Sequence, residues 1–183
     1  MLNVGSQVIE TKRLILRKIQ VDDVEQVYNN WCSDPLVSKY VTWETHNNIE
    51  QTRDYINYKV DLYNHNYRFD WVVVIKDTNE IIGEIDAVKT SVNYSLIELG
   101  YCFGSRYWNK GYASEALSAV IEYLRDIARV EKITACHIST NPASGRVMQK
   151  AGMTYDATLK GYVVDKTTKE RADLVYYSIN HNT

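Results

Sequence analysis

The chain of 183 residues has only two prolines, three cysteines and little excess charge of either sign. So few prolines exclude the proline-rich linkers of disordered segments. Cys32, Cys102 and Cys136 are odd in number and far apart, and each lies in a mainly apolar stretch, which favours reduced buried thiols over a disulfide framework. We therefore expect an ordered protein of a reducing compartment, the cytoplasm.

The charge balance and the lack of long apolar runs exclude further classes. With 21 basic and 23 acidic residues the formal net charge is -2, so bulk charge does not draw the chain to nucleic acid or to anionic lipid. No stretch approaches the roughly 18 apolar residues of a membrane span. The first ten residues also lack the pattern of a signal peptide. We expect no nucleic-acid partner and no membrane partner.

The remaining composition describes one core. Hydrophobic residues make up 45% of the chain and 15 residues are tyrosine, while no internal repeat or low-complexity segment divides the sequence. A chain of this length can bury one sizeable core but hardly two. We expect a single domain over residues 1–183.

Hydrophobic periodicity predicts the elements of an α+β fold. Apolar residues from Ala113 to Arg129 recur at i, i+3, i+4 and i+7, which predicts a long amphipathic helix. Asn141 followed by Pro142 predicts the start of a short helix that ends near Gly152. Two earlier helices are predicted over residues 23–32 and from residue 48. Strands are predicted over residues 13–19, 69–75, 81–88, 95–103, 132–138, 155–164 and 172–179.

The loop before the long helix is the first candidate site. A glycine-containing loop that opens a helix leaves backbone N–H groups without partners at the positive end of the helix dipole, where a pyrophosphate fits. The segment lacks the glycine patterns of phosphate loops and dinucleotide folds, which disfavours ATP and NAD. A single glycine before a helix is also typical of a plain structural turn, and both interpretations stay open from this loop alone.

Five segments in chain order are more specific evidence of function than the loop alone. They are residues 10–17, 82–85 (Ile-Gly-Glu-Ile), 97–101 (Ile-Glu-Leu-Gly-Tyr), 108–116 and 141–153. Together they resemble the GCN5-related N-acetyltransferase (GNAT) family, and within it the ribosomal-protein-alanine N-acetyltransferases. The resemblance implies a GNAT-like mixed, mostly antiparallel central sheet flanked by helices, with a splay between the fourth and fifth strands. It also implies an acyltransferase that moves the acetyl group of acetyl-CoA to a primary amine by direct attack in a ternary complex.

The same resemblance implies the acetyl-CoA site. The family's pyrophosphate pattern, Gln/Arg-x-x-Gly-x-Gly/Ala, falls on residues 108–113 with Trp108 in its first slot, so Arg106 or Lys110 would have to supply a side-chain donor. The pantetheine arm would enter the splay like an added strand. The implied acetyl-CoA-binding residues are Tyr101, Cys102, Phe103, Trp108, Asn109, Lys110, Gly111, Tyr112, Ala113, Ser114, Asn141 and Ser144.

Two details of that site are expected as well. The family carries a strand bulge whose free N–H faces the thioester carbonyl, and we expect it at Gly100 with its neighbours Leu99 and Tyr101. The family's Asn-x-x-Ser motif places Asn141 near the pantetheine amides and Ser144 near the thiol. Asn141 before a proline is equally typical of an ordinary helix cap.

Transfer to an amine requires a base, because the attacking nitrogen must be neutral. Glu98 precedes the expected bulge and is our candidate, although a strand glutamate is commonly a solvated outer-face residue. Glu84 is the second carboxylate to consider. The ribosomal-protein enzymes place a further glutamate beyond the Asn-x-x-Ser segment, and residues 161–164 here contain none. The resemblance therefore gives weaker support for assigning the catalytic base and the substrate of those enzymes to this chain.

The departing thiolate requires a proton donor. Ser144 is the first candidate by motif and Tyr176 the second by position, with Tyr177 as its neighbour. Cys102 and Cys136 are interpreted as core residues, which favours direct transfer over an acyl-cysteine intermediate. No metal is expected, because the four histidines show no ligand spacing: His46, His65, His137 and His181.

The acceptor is expected between the two early helices and the turn at residues 165–169. Acidic residues there would tolerate a cationic amine. A protein N-terminus, a small-molecule amine such as an aminoglycoside-like drug or a polyamine, and an amino acid derivative all remain open. A non-catalytic CoA-binding regulatory domain is the alternative function. Both monomer and homodimer are compatible with the sequence.

Overall fold

A single eight-stranded sheet organises the protein. The structure is a computed structural model that describes residues 1–64 and 67–180. The strands run in the order β1-β2-β3-β4-β5-β6-β8-β7 across the sheet, and neighbours are antiparallel except for β5 and β6, which are parallel. In chain order they are β1 (Ile9–Glu10), β2 (Leu14–Arg17), β3 (Asp70–Ile75), β4 (Ile81–Ser91), β5 (Leu96–Phe103), β6 (Lys132–Ile138), β7 (Thr154–Val164) and β8 (Arg171–Asn180).

Five α-helices accompany the sheet in the described part of the chain. They are α1 (Val24–Val27), α2 (Pro35–Ser38), α3 (Ile49–Leu62), α4 (Tyr112–Asp126) and α5 (Pro142–Lys150). Short 3₁₀ turns lie at Val21–Asp23 and Ser105–Tyr107, and a π turn extends α1 over Tyr28–Cys32. Within residues 1–64 and 67–180, no helix combines the length and the apolar character that crossing a bilayer requires.

Helices cover both faces of the sheet. Because side chains alternate along a strand, β5 sends Ile97 and Leu99 to one face and Cys102 to the other. The first face packs against α4 and α5, with Leu117, Val120, Ile133 and Met148 in its core. The opposite face packs against α1 and α3, with Val27, Trp31, Ile56 and Val72 in its core. The sheet is therefore an apolar layer buried on both sides near its centre.

The predicted α+β fold is confirmed. Each of the seven predicted strands is present, and β6 has the predicted bounds. The predicted long helix is α4, which begins at Tyr112 and ends three residues earlier than expected. The helix predicted over residues 23–32 is wrong in detail, because the segment changes from 3₁₀ to α to π geometry. The sequence analysis missed α2, where the Asp34 carboxylate accepts from the Leu36 N–H and Pro35 opens the helix.

Candidate functional site

The loop between β5 and α4 has the shape of an anion cradle. Gly111 adopts φ +81° and ψ 0°, a left-handed conformation that glycine reaches without a steric cost, and α4 begins at the next residue. A Cβ at Gly111 would meet only the guanidinium of Arg13, at 3.4 Å. The space in front of this glycine is therefore open to a ligand.

The first turn of α4 presents donors to that space. Helix geometry leaves the N–H groups of Tyr112, Ala113 and Ser114 without intrahelical acceptors. The Ser114 hydroxyl donates to the Gly111 carbonyl at 3.0 Å, and the Glu115 N–H donates to the same carbonyl at 3.1 Å. The loop carbonyl thus turns into the helix while the donors face outward at the positive end of the helix dipole.

The predicted side-chain donors of the loop behave differently from one another. Trp108 uses its indole N–H on the Phe103 carbonyl, at 2.7 Å, so it braces the loop. Arg106 donates from Nη2 to the Asn30 side chain, which engages one of its two terminal nitrogens. Lys110 remains at the loop, with Nζ 5.7 Å from the centroid of the Tyr107 ring.

A carboxylate that the sequence analysis did not single out lies in the first turn of α4. Glu115 accepts from the Thr11 hydroxyl at 2.6 Å, from the Arg13 backbone N–H at 2.9 Å and from Arg13 Nε at 2.6 Å. Partial burial opposes ionisation, but these hydrogen bonds outweigh it and lower the pKa of the Glu115 carboxyl. Glu115 is therefore a paired anion at neutral pH.

The expected splay lies between β5 and β6. The two parallel strands pair only from Leu96 opposite Lys132 to Leu99 opposite Ala135. Beyond that point, no pairing joins residues 100–103 of β5 to residues 136–138 of β6 in the described registers. The facing edges of both strands therefore have backbone groups available to an extended ligand.

Three residues predicted at this gap have distinct positions. Tyr101 reaches across it, and its hydroxyl lies 2.9 Å from the Ser144 carbonyl and 2.7 Å from the Ser144 hydroxyl. Cys102 turns to the α1 and α3 face, where its sulfur lies 3.8 Å from Glu84. Phe103 buries its ring in the core under α4. Cys102 and Phe103 can therefore reach a ligand in the gap only through their backbone.

The Asn-x-x-Ser motif opens α5 on the far side of the gap. Asn141 is the N-cap residue, but its side chain makes no capping hydrogen bond. The purely capping interpretation of Asn141 is therefore wrong in this structure. Its side chain is free of the helix, while Ser144 is joined to Tyr101. The motif thus lines the same gap as β5.

Two of the three predicted catalytic residues meet on the opposite face of the sheet. Glu98 lies 3.2 Å from Lys89 Nζ and 4.0 Å from Cys136 Sγ, with 13% of its side chain exposed. Tyr176 is the direct partner of Cys136 in the β6–β8 register. Ser144, the third, lies with Tyr101 on the α5 side. The candidates therefore flank the vertex of the splay from two sides.

The surroundings of Glu98 keep the neighbouring Cys136 thiol and Tyr176 phenol protonated. Burial and the charge of Glu98 raise the pKa of Cys136 to about 11. Burial, followed by Cys136 and Glu98, raises the pKa of Tyr176 to about 12. Cys136 is therefore a poor nucleophile at neutral pH, because the thiolate is the reactive form.

The β-bulge was predicted on β5, but the structure has it on β4. The register of β4 against β5 shifts between Ala87, opposite Leu99, and Lys89, opposite Glu98. The extra residue is Val88 on β4, and not Gly100 on β5 as expected. Gly100 is instead the position where the sheet needs room, because a Cβ there would lie 2.8 Å from the Val88 side chain.

Glu84, the second carboxylate, is enclosed beneath α3. It is 6% exposed, and the Tyr55 hydroxyl lies 2.7 Å from each of its carboxylate oxygens. Burial and the charge of Asp86 raise the pKa of Glu84 to about 7, against the opposing effects of Lys59 and Tyr55. Its position suits a structural role in the sheet better than contact with a substrate.

Elements predicted to hold the acceptor do come together. The turn after β7 reaches the segment before α3, where Lys166 Nζ donates to the Trp43 carbonyl at 2.6 Å and lies 2.9 Å from the Glu44 carboxylate. The same turn is fixed by the Asp165 carboxylate, which accepts from the Thr140 hydroxyl at 2.7 Å. These contacts hold the turn after β7 against the segment before α3.

The remaining reactive side chains are cysteines and histidines. Cys32, Cys102 and Cys136 are all free, as predicted. Among the residues that the structure describes, no group of three or more His, Cys, Asp or Glu side chains could hold a metal ion. His65 and His181 lie outside the described residues.

Comparisons with known proteins agree with this geometry. The family model described as Acetyltransferase (GNAT) domain matches residues 13–154. The chain is 30% identical over 161 residues to the uncharacterized N-acetyltransferase YoaA of Bacillus subtilis (strain 168), covering 88% of this chain and 90% of that protein. It is 30% identical over 91 residues to the ribosomal protein uS5-alanine N-acetyltransferase of Escherichia coli (strain K12), covering 48% and 46%. The crystal structure of a GNAT-family acetyltransferase from Bacillus anthracis matches with a TM-score of 0.82 and 30% identity, covering 97% of this chain and all of that one.

Proposed function

Because the chain belongs to the GNAT acetyltransferases and is an acetyl-CoA-dependent acyltransferase, we propose that it moves the acetyl group to a primary amine in a ternary complex. The observation that carries the proposal is the separation of β5 from β6 after Leu99 and Ala135. This gap ends at the donor-rich start of α4 on one side and at α5 on the other. A ligand with a phosphate end and an extended arm fits both features.

Acetyl-CoA supplies the activated acetyl thioester. The N–H groups at the start of α4 would bind its pyrophosphate, since several donors converge there beside an open glycine. The free edges of residues 100–103 and 136–138 would bind its extended arm as an added strand. Asn141, whose side chain makes no capping hydrogen bond, would donate to an amide carbonyl of that arm.

On the amine side, we propose Glu98 as the general base. It is the next-to-last residue of β5 that pairs with β6 before the gap, and it is partly accessible, whereas Glu84 is covered by α3. Lys89 is 67% exposed and its ion pair with Glu98 is weak, so an incoming ammonium group can replace it. Glu98 would accept a proton from the ammonium group, and the neutral nitrogen would attack the thioester carbonyl.

On the thiol side, Ser144 is the proposed proton donor and Tyr101 its positioning residue. The Tyr101 hydroxyl lies 2.7 Å from the Ser144 hydroxyl across the gap. Burial, the largest influence, raises the pKa of Tyr101, so its proton stays on the phenol at neutral pH. Tyr176 is not on this side, and we assign it to the amine side with Glu98.

The proposal favours direct transfer. Cys136 is the cysteine in contact with Glu98, but its raised pKa keeps the thiol protonated. An acyl-cysteine step would need the thiolate. The amine should therefore take the acetyl group from acetyl-CoA without a covalent enzyme intermediate.

The acceptor is a protein N-terminus or a small-molecule amine. The turn after β7 and the segment before α3, which Lys166 joins, would border the acceptor on one side and would admit either. The relative that acts on ribosomal protein uS5 matches less than half of this chain. A non-catalytic CoA-binding regulatory domain is the competing function.

A thiol-release assay tests the proposal. The protein is given acetyl-CoA with a panel of amino-terminal peptides, polyamines, aminoglycosides and amino acid derivatives, and free CoA is measured. We expect release with at least one amine, a loss of about 100-fold in kcat for Glu98→Gln and little change for the matched control Glu84→Gln. Binding of acetyl-CoA without amine-dependent release across the panel would support the regulatory alternative.

A further inference from the structure

Arg13 belongs to the opening sequence motif, and its side chain contacts the loop before α4. Its Nη1 donates to the Lys110 carbonyl at 3.0 Å and its Nε to Glu115 at 2.6 Å. The guanidinium carbon lies 4.5 Å from the centroid of the Tyr112 ring. One side chain from the turn between β1 and β2 therefore contacts both the loop, at Lys110, and the first turn of α4, at Tyr112 and Glu115.

Glu115 makes a cation necessary at this place. A carboxylate in the first turn of α4 is favourable for the helix dipole but repels a phosphate bound at the same helix end. The hydrogen bonds from Thr11 and Arg13 keep this carboxyl ionised. Arg13 is the cation paired with it, at 2.6 Å. Without Arg13, the proposed phosphate site would contain an unpaired negative charge.

The third guanidinium nitrogen of Arg13, Nη2, can still donate hydrogen bonds. Nη1 and Nε are used by Lys110 and Glu115, whereas Nη2 donates no hydrogen bond within the described residues. Nη2 lies 3.4 Å from where a Cβ of Gly111 would stand, so it borders the open space in front of that glycine. Arg106, the other arginine of the loop, already donates from Nη2 to the Asn30 side chain.

We propose that Arg13 is a phosphate-binding residue of the acetyl-CoA site. It offers the free Nη2 donors to a pyrophosphate oxygen and neutralises Glu115 at the same helix end. This role rests on the proposed function, since it requires the loop to bind acetyl-CoA. It supplies the side-chain cation that Trp108 cannot provide in the first slot of the loop pattern.

Titration calorimetry with acetyl-CoA tests the role on four variants. We expect Arg13→Gln to bind about 10- to 100-fold more weakly, because a charged hydrogen bond is lost and Glu115 is left unpaired. Glu115→Gln should lose less than about 3-fold, and the double variant should recover part of the loss of Arg13→Gln. Lys12→Gln removes the same charge from the adjacent exposed residue and should bind like the wild type. Thermal unfolding of each variant checks that it is folded.

The outcomes separate the alternatives. If the ion pair is only a clamp, Arg13→Gln, Glu115→Gln and the double variant lose the same affinity, and the inference is overturned. An equal loss in Lys12→Gln overturns it too, because bulk charge would then explain the effect. If Arg13→Gln does not fold, Arg13→Lys keeps the charge and should still lose affinity through the missing second donor. A folded wild type that does not bind acetyl-CoA would instead refute the proposed function itself.

Discussion

The buried carboxyl of Glu84 gives the protein a stability that depends on pH. Its pKa is raised from 4.5 to about 7, chiefly by burial and then by Asp86. The proton is thus bound more tightly in the folded than in the unfolded chain. This contribution to stability is fully present below about pH 4.5 and is lost as the pH rises to about 7. The difference of pKa corresponds to about 3 kcal/mol in the free energy of unfolding.

Substitution of Glu84 by Gln isolates this effect. The amide oxygen can still accept from the Tyr55 hydroxyl, but the side chain no longer titrates. Relative to the wild type, the variant should gain stability with rising pH, by up to about 3 kcal/mol between pH 4.5 and 8. Asp70, whose pKa is also raised by burial, to about 6, titrates in both proteins, so the difference between them reports Glu84 together with its coupling to Asp70.

Urea unfolding between pH 4.5 and 8.5, followed by circular dichroism, measures the difference. Glu25→Gln, at an exposed residue of α1, is the matched control and should show a pH-independent difference from the wild type. A flat difference for Glu84→Gln, or one that favours the wild type increasingly as the pH rises, would refute the reasoning.

Two further predictions concern glycine packing and the thiol side. Gly83→Ala should destabilise the protein by about 2 to 3 kcal/mol in urea unfolding, because the new Cβ collides with the Cys102 backbone carbonyl. Gly100→Ala, where the neighbour is an exposed valine side chain, should cost less than about 1 kcal/mol, and equal costs would contradict this contrast. Tyr101→Phe should lower kcat about 10-fold in steady-state kinetics while the affinity for acetyl-CoA stays within about 2-fold, since only the hydrogen bond to the serine of α5 is lost. A change in affinity alone would assign Tyr101 to binding.

The sequence predicted well those helices and strands whose residues form a regular apolar pattern along the chain. The apolar periodicity of residues 113–129 indicated α4, and β6 was predicted with its observed bounds. The segment at residues 23–32 differs because contacts distant in sequence act on it. Asn30 donates to the Ile81 carbonyl and holds Arg106, and the chain forms a π turn around it. Helical spacing alone could not show such contacts.

The candidate site divides in the same way. The loop at residues 108–114 and the Asn-x-x-Ser segment are continuous in sequence, so their patterns were visible. The contact of Arg13 with Glu115 joins residues 102 apart, and the contact of Tyr101 with Ser144 joins residues 43 apart. The bulge was expected on β5 and lies on β4 because register depends on both strands of a pair.

The central claim is that the loop before α4 binds acetyl-CoA, and calorimetric titration of acetyl-CoA into three proteins tests it most directly. The wild type should bind in the micromolar range. Gly111→Ala and Gly111→Glu carry the same strain at φ +81°, so the difference between them reports the added charge. We expect Gly111→Ala to bind more weakly and Gly111→Glu not to bind. A folded wild type without binding, or equal binding by the two variants, would contradict the account.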